Sequence, residues 1–340
     1  MEKIEYDFVS PIAPYMRAYL AEYKSQGKNL KLVEFMFRTF DQHLVKVNYL
    51  ANKPLSEKIY RGWLDRWNDL SQTTMYHNAA YMVKFLKYLC KCGVQCFIPR
   101  LPNPSKRTFI PYIFSFDEMS RIFKECDDWR DLVYMKDSHQ LVMPSLLRLL
   151  YSTGVRINEA LSIENRDVLL DKHCIVIRNT KNNSDRLAPI NESLELVLKE
   201  YIKNRSRIRK PGLEKSSSPF FVKINGEKCN SATILLRFKA ICKSAGIEHQ
   251  QGHYGIRVHD LRHTACVHAL IKMVNAGKDP YCCLPSLAVY MGHCDVHATE
   301  YYLRLAQLSY PDIIKLTEPL SGSLDAIINN AINSSKNGTI

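Results

Sequence analysis

His259-Asp260-Leu261-Arg262-His263-Thr264 begins the stretch around which the chain is organised. The stretch closes with Met291-Gly292-His293 and, nine residues further on, Tyr302. His259 and Arg262 are three apart and share one face of a helix. Arginine presents a planar fork of donors that matches phosphate oxygens, and histidine gives or takes a proton near neutral pH. Such a face suits a phosphodiester. A tyrosine beside it can serve as an oxygen nucleophile that forms a covalent intermediate.

Two upstream segments add to this. One is Thr153-Gly154-Val155-Arg156-Ile157-Asn158-Glu159-Ala160-Leu161. Gly154 predicts a turn there, and Glu159 lies three residues past Arg156 on the same helical face, where it can hold the guanidinium. The other runs from Thr180-Lys181 to Arg186-Leu187-Ala188-Pro189-Ile190. Two β-type runs, residues 174–178 and 186–190, flank a polar tip carrying Lys181, which reads as a hairpin. In this order and spacing, the three segments resemble the two signature boxes and the hairpin lysine of the tyrosine recombinase (phage integrase) family. The resemblance spans roughly residues 10–318.

That resemblance implies a mainly α fold with a small β-sheet. Residues 1–98 are expected to form a helical core-binding domain and 99–113 a linker. Residues 114–318 would be an α+β catalytic domain, and 319–340 a C-terminal tail that docks on a neighbouring subunit. The two domains would close on DNA as a C-shaped clamp. The implied activity is that of a site-specific recombinase or integrase acting through a 3′-phosphotyrosine and a Holliday junction. Carried over residue by residue, Tyr302 is the nucleophile and Arg156 and Arg262 clamp the non-bridging oxygens. Lys181 protonates the leaving 5′ oxygen, His259 assists proton transfer from Tyr302, and His293 bonds the phosphate. Glu159 and His263 support the site, and His263 and His268 are expected to be structural, without a chemical step. Bond energy is conserved in the phosphotyrosine and two arginines supply charge, so neither ATP, metal nor other cofactor is expected.

The implied partners are double-stranded DNA with specific sites and a homo-tetramer on two duplexes, with a partner recombinase left open; no membrane is expected. Met291 replaces the commoner Leu, and Tyr301 precedes Tyr302. Helical neighbours point ~100° apart, so only one of the two tyrosines can face the site. Counting nine from His293 selects Tyr302.

Bulk properties agree with an anionic partner. The 340 residues suffice for two domains, 46% are hydrophobic, and net charge is +13 with a pI near 9.1. A basic chain favours polyanions, nucleic acid first. Eleven cysteines occur without a secretory signal or a long apolar run, which reads as reduced thiols in the cytoplasm, near a bacterial nucleoid. Cys90, Cys92 and Cys96 lack the pair-of-pairs spacing of a zinc site and read as buried small hydrophobes, as do Cys282 and Cys283.

Helical periodicity predicts about four helices within residues 10–97. Residues 99–111 hold four prolines and read as extended, with Arg100, Lys106 and Arg107 able to track a phosphate backbone. Ser115-Phe116-Asp117-Glu118 is a capping box, and Pro144–Tyr151 reads as a buried helix. Asn191 caps a further helix whose basic end, including Lys203 and Arg205, offers a second DNA contact. Phe220–Val222 reads as a strand, residues 234–245 as a helix stopped at Gly246, and residues 324–332 as an apolar stripe too short to stand alone.

Three other readings compete. His259 and His263, four apart, have metalloprotease spacing, but the required Glu is Asp260 and Arg156, Lys181 and Tyr302 go unused. A non-catalytic DNA-binding relative would not need the full residue set. A type IB topoisomerase, telomere resolvase or chromosome-dimer resolvase would share the phosphotyrosine chemistry. A mobile-element integrase is favoured.

Overall fold

Apolar residues three and four apart build four helices early in the chain: α1 (Ala13–Ser25), α2 (Lys31–Lys46), α3 (Glu57–Leu64) and α4 (Gln72–Lys91). The computed structural model describes residues 6–27, 30–67, 69–101, 110–129, 138–178, 185–248, 255–292 and 301–306. It divides into two units, Met1–Thr108 and Phe109–Ile340.

In the first unit the helices bury Met16, Phe37, Phe40, Trp63, Phe85 and Leu89 in one core. The Trp63 indole N–H donates to the Thr39 hydroxyl at 3.1 Å, so the largest core side chain leaves no orphan donor. The cysteine expectation is corrected here. Cys90 and Cys92 are exposed and Cys96 is half-buried. The buried stripe of α4 ends at Leu89 and the chain turns at Gly93 (φ +85°), leaving the neighbouring thiols on the rim. Cys282 is exposed as well, whereas Cys283 is buried.

The second unit is mainly helical. It comprises α5 (Phe116–Asp128), α6 (Met143–Thr153), the single turn α7 (Ile157–Ala160), α8 (Glu192–Arg205), α9 (Ser231–Ser244), α10 (Val258–Asn275), α11 (Pro280–Met291) and α12 (301–306). A small antiparallel sheet has the order β1 (Val168–Leu169), β2 (Cys174–Ile177), β3 (Arg186–Pro189), with Ile177 opposite Arg186. The Ser115–Glu118 capping box is present at α5, and the Asn191 side chain caps α8.

Helix α10 is buried on nearly all sides, as a helix at the centre of a unit must be. It packs on α6, α9 and α11. Its buried polar groups each have a partner. The Asp260 carboxylate accepts from the Arg257 backbone N–H at 2.8 Å, and the Thr264 hydroxyl accepts from Phe114 N–H at 3.1 Å. His268 Nδ1 lies 2.7 Å from the Tyr151 hydroxyl, and its ring stacks on Phe116 with centroids 3.8 Å apart. A buried polar group without such a partner would cost ~1–3 kcal/mol.

Two differences from the sequence reading have physical causes. Phe220–Val222 is not a strand. The Tyr201 hydroxyl donates to the Phe220 carbonyl and accepts from Val222 N–H, so one side chain does the work of a ladder. The strand that was missed, β1, is two residues long, below the length at which alternation can be seen. Among the described residues, no helix is long and apolar enough to cross a membrane.

Candidate active site

Two helix ends and one side chain make the frame. Helix α6 ends at Gly154 in the left-handed conformation (φ +62°), and α11 ends at Met291, capped by Gly292 (φ +66°). The last carbonyls of a helix lack intrahelical partners and carry the negative end of its dipole. Arg262, projecting from the second turn of α10 and 3% exposed, donates Nη1 to the Gly154 carbonyl at 2.5 Å and Nη2 to the Met291 carbonyl at 2.6 Å. One guanidinium therefore joins three helices. Burial, and then repulsion from Arg156, hold its pKa down to about 10, still well above neutrality. The positive φ at position 154 calls for glycine, and a Cβ there would lie 2.6 Å from Met291 Sδ and displace the tip of that side chain.

Arg156 leads into α7. Its Nη1 donates to Glu159 Oε1 at 2.7 Å, and its backbone N–H donates to Oε2 at 3.1 Å. Glu159 Oε2 also accepts from Arg186 Nη2 at 2.7 Å. One buried carboxylate thus aligns two arginines. Burial would raise the Glu159 pKa, but the hydrogen bonds from Arg186 and Arg156 overcome it and hold the carboxyl at about 2. Arg186 packs over Gly292, where an added Cβ would meet its guanidinium carbon at 3.0 Å.

Tyr302, on α12, is 4% exposed, and its hydroxyl lies 3.1 Å from His263 Nδ1. The Arg262 guanidinium lies close enough to that hydroxyl to favour its ionised form. Burial first, then Cys266, push its pKa up to about 12, against the pull of Arg262 and Arg156. Tyr301 is 38% exposed, with its ring 6.2 Å from that of Tyr302. His259 stands one turn before His263, ring edge against ring face with centroids 4.8 Å apart. Its ring reaches solvent but is crowded by neighbours. That partial desolvation, followed by the guanidiniums of Arg262, Arg257 and Arg156, holds the imidazole well below its usual pKa and therefore neutral.

The structure brings together Arg156, Glu159, His259, Arg262, His263 and Tyr302. Lys181 and His293 lie outside the described residues, as do Lys106, Arg107 and residues 319–340 of the tail. Arg100, in the first unit, and Lys203, near the end of α8, are exposed. Arg205 is half-buried, and its Nη2 donates to the Leu213 and Pro219 carbonyls at 3.1 and 2.8 Å, which fixes the following loop. His263, expected as a supporting residue, lies against the tyrosine.

Three residues near the site were missed. Arg186 sits on a strand in a run that reads as hairpin, and no local pattern distinguishes it. Arg257, whose guanidinium is held by Asp260 at 2.8 Å, precedes the first box. Cys266 lies one turn beyond Arg262 on α10. Chemically, the cluster offers two aligned guanidiniums for an anionic tetrahedral centre and an oxygen nucleophile beside a nitrogen base.

Residues 113–308 match the model of the phage integrase family. The tyrosine recombinase XerD of Listeria monocytogenes is 25% identical over 245 residues, covering 71% of this chain and 74% of that one. Among solved structures, the XerH site-specific recombinase bound to its palindromic difH substrate aligns with a TM-score of 0.59 and 18% identity, over 84% of this chain and 78% of that one. The Tn1549 transposon integrase in complex with transposon right-end DNA aligns at 0.56 and 18%, over 87% and 99%. These two likenesses are of fold.

Proposed function

The chain belongs to the phage integrase family and is a site-specific tyrosine recombinase, and from that premise we propose that it cuts and rejoins double-stranded DNA through Tyr302 on behalf of a mobile genetic element. The observation that carries this reading is the Tyr302 hydroxyl, buried beside His263 and within reach of the Arg262 guanidinium. The Tyr302 oxygen attacks the scissile phosphorus and the bond to the 5′ oxygen breaks. The 3′ phosphate is left on the tyrosine. A 5′ hydroxyl from the partner strand then reverses the step and completes the exchange.

Arg156 and Arg262 hold the non-bridging oxygens, where charge grows in the pentacoordinate transition state. Both guanidiniums are already fixed, by Glu159 and by two carbonyls, so little reorganisation is needed as the reaction proceeds. Lys181 supplies the proton to the leaving oxygen, His293 bonds the phosphate, and His259 takes part in proton transfer. Residues 1–98 serve as the core-binding domain and 114–318 as the catalytic domain, with 99–113 between them. Four copies assemble on two duplexes, with the 319–340 tail linking subunits. The protein works in the cytoplasm, on the nucleoid.

The test is covalent trapping on a nicked suicide substrate built from the DNA flanking the element, in the presence of a chelator. The expected result is an adduct on denaturing gels that Tyr302→Phe abolishes and Tyr301→Phe retains. An adduct that survives Tyr302→Phe would overturn the assignment. Tight binding with no adduct would identify a non-catalytic DNA-binding protein.

A further inference from the structure

We propose that His263 is the catalytic base that receives the Tyr302 proton during cleavage and returns it during ligation. This deepens the phosphotyrosine reading and rests on it. The family resemblance puts proton transfer on His259, yet the ring nitrogen in contact with the tyrosine is Nδ1 of His263, 3.1 Å from the hydroxyl.

The proposed step requires one tautomer of His263, with the ring proton on Nε2 and a lone pair on Nδ1, so that the Tyr302 hydroxyl donates across the 3.1 Å contact. The neighbouring Arg262 guanidinium favours the phenolate that forms as the proton leaves.

The surroundings fit a base at this position. His259 meets the His263 ring edge-on at 4.8 Å, and Arg262 lies between the two in sequence on the same helix. Cys266 is the next titratable side chain along α10 and also faces Tyr302. Arg156 and Glu159 approach from α7, Arg186 from β3 and Arg257 from the start of α10. Burial pushes the Tyr302 pKa up to about 12, so at neutral pH the hydroxyl does not ionise without an acceptor. In the step itself, the O–H bond of Tyr302 breaks with its proton passing to Nδ1. The oxygen then bonds to phosphorus, and the leaving 5′ oxygen separates with a proton from Lys181. In ligation the imidazolium returns its proton to the phenolic oxygen.

His263→Asn tests this, because the asparagine amide oxygen falls close to Nδ1 and can accept the hydrogen bond but cannot take the proton. Single-turnover cleavage of prebound suicide substrate would be followed from about pH 6.5 to 9.5, with His263→Gln as a second variant. Fold and DNA affinity would be checked by circular dichroism and gel shift. The expected result is full DNA binding and a cleavage rate lower by roughly 100-fold or more at neutral pH, the scale of a lost general base. The deficit should narrow as hydroxide replaces the missing acceptor. A substrate with sulfur in place of the bridging 5′ oxygen, whose leaving group needs no proton, should not rescue the variant. Cleavage by His263→Asn within about threefold of the unaltered protein, a deficit equal at every pH, or rescue by the sulfur substrate would overturn the proposal. An adduct persisting in Tyr302→Phe would instead overturn the underlying reading, so the two failures are distinct.

Discussion

Replacing Glu159 by Gln removes one buried charge that holds two half-buried guanidiniums. The carboxyl titrates at about 2 in the folded protein against 4.5 when free. At about 1.4 kcal/mol per pH unit, that difference is worth roughly 3 kcal/mol at neutral pH. Glutamine keeps the shape and one acceptor, but leaves the Arg156 and Arg186 charges uncompensated; breaking such a buried arrangement typically costs ~3–5 kcal/mol. For a unit of this size, roughly 3 kcal/mol corresponds to a fall in Tm of about 6–12 °C. The pH dependence adds a sharper check. Because folding lowers the pKa, the contribution is complete above about pH 4.5 and disappears as pH falls towards 2. Thermal melts of both proteins between pH 8 and 5 should therefore differ by a constant amount. A gap below about 1 kcal/mol, or one that closes between pH 7 and 5, would refute the reasoning.

Two further perturbations follow from the same geometry. Gly154→Ala forces a side chain into the left-handed region, at a cost of ~1–2 kcal/mol, and drives it against Met291. Urea melts should show that loss, and cleavage should fall while DNA binding persists, because the Gly154 carbonyl no longer meets Arg262. His268 is 2% exposed, and burial holds its pKa down to about 4 from 6.5. Its contribution of up to roughly 3 kcal/mol is present above pH 6.5 and lost as pH falls towards 4. Urea titrations of wild type should show that decline, and His268→Gln should lack this part of it.

Much of the frame was legible because it rests on local rules. Ser115, Asn191 and Gly154 announce helix ends through their own chemistry, and residues spaced three and four apart gave the helices of the first unit. The Arg156–Glu159 pair was legible for the same reason, since its members lie on one turn. Contacts over long separations were not. The bond from Arg262 to Gly154 spans 108 residues, and that from His263 to Tyr302 spans 39. No periodicity encodes either. Arg186 on β3 and the Tyr201 hydroxyl that replaces a strand ladder were missed because each acts through a neighbour far away in sequence. The cysteines misled for the opposite reason. Their type predicts burial, but Cys90 and Cys92 come just after the buried stripe of α4 ends.

The double carbonyl seat of Arg262 also imposes an order on the life of the chain. One carbonyl is made 108 residues before the arginine and the other 29 residues after it, and the tyrosine comes later still. A nascent chain that has emerged only through α10 holds Arg262 with half its seat and lacks Tyr302, so the cluster can close only once α11 and α12 have been made.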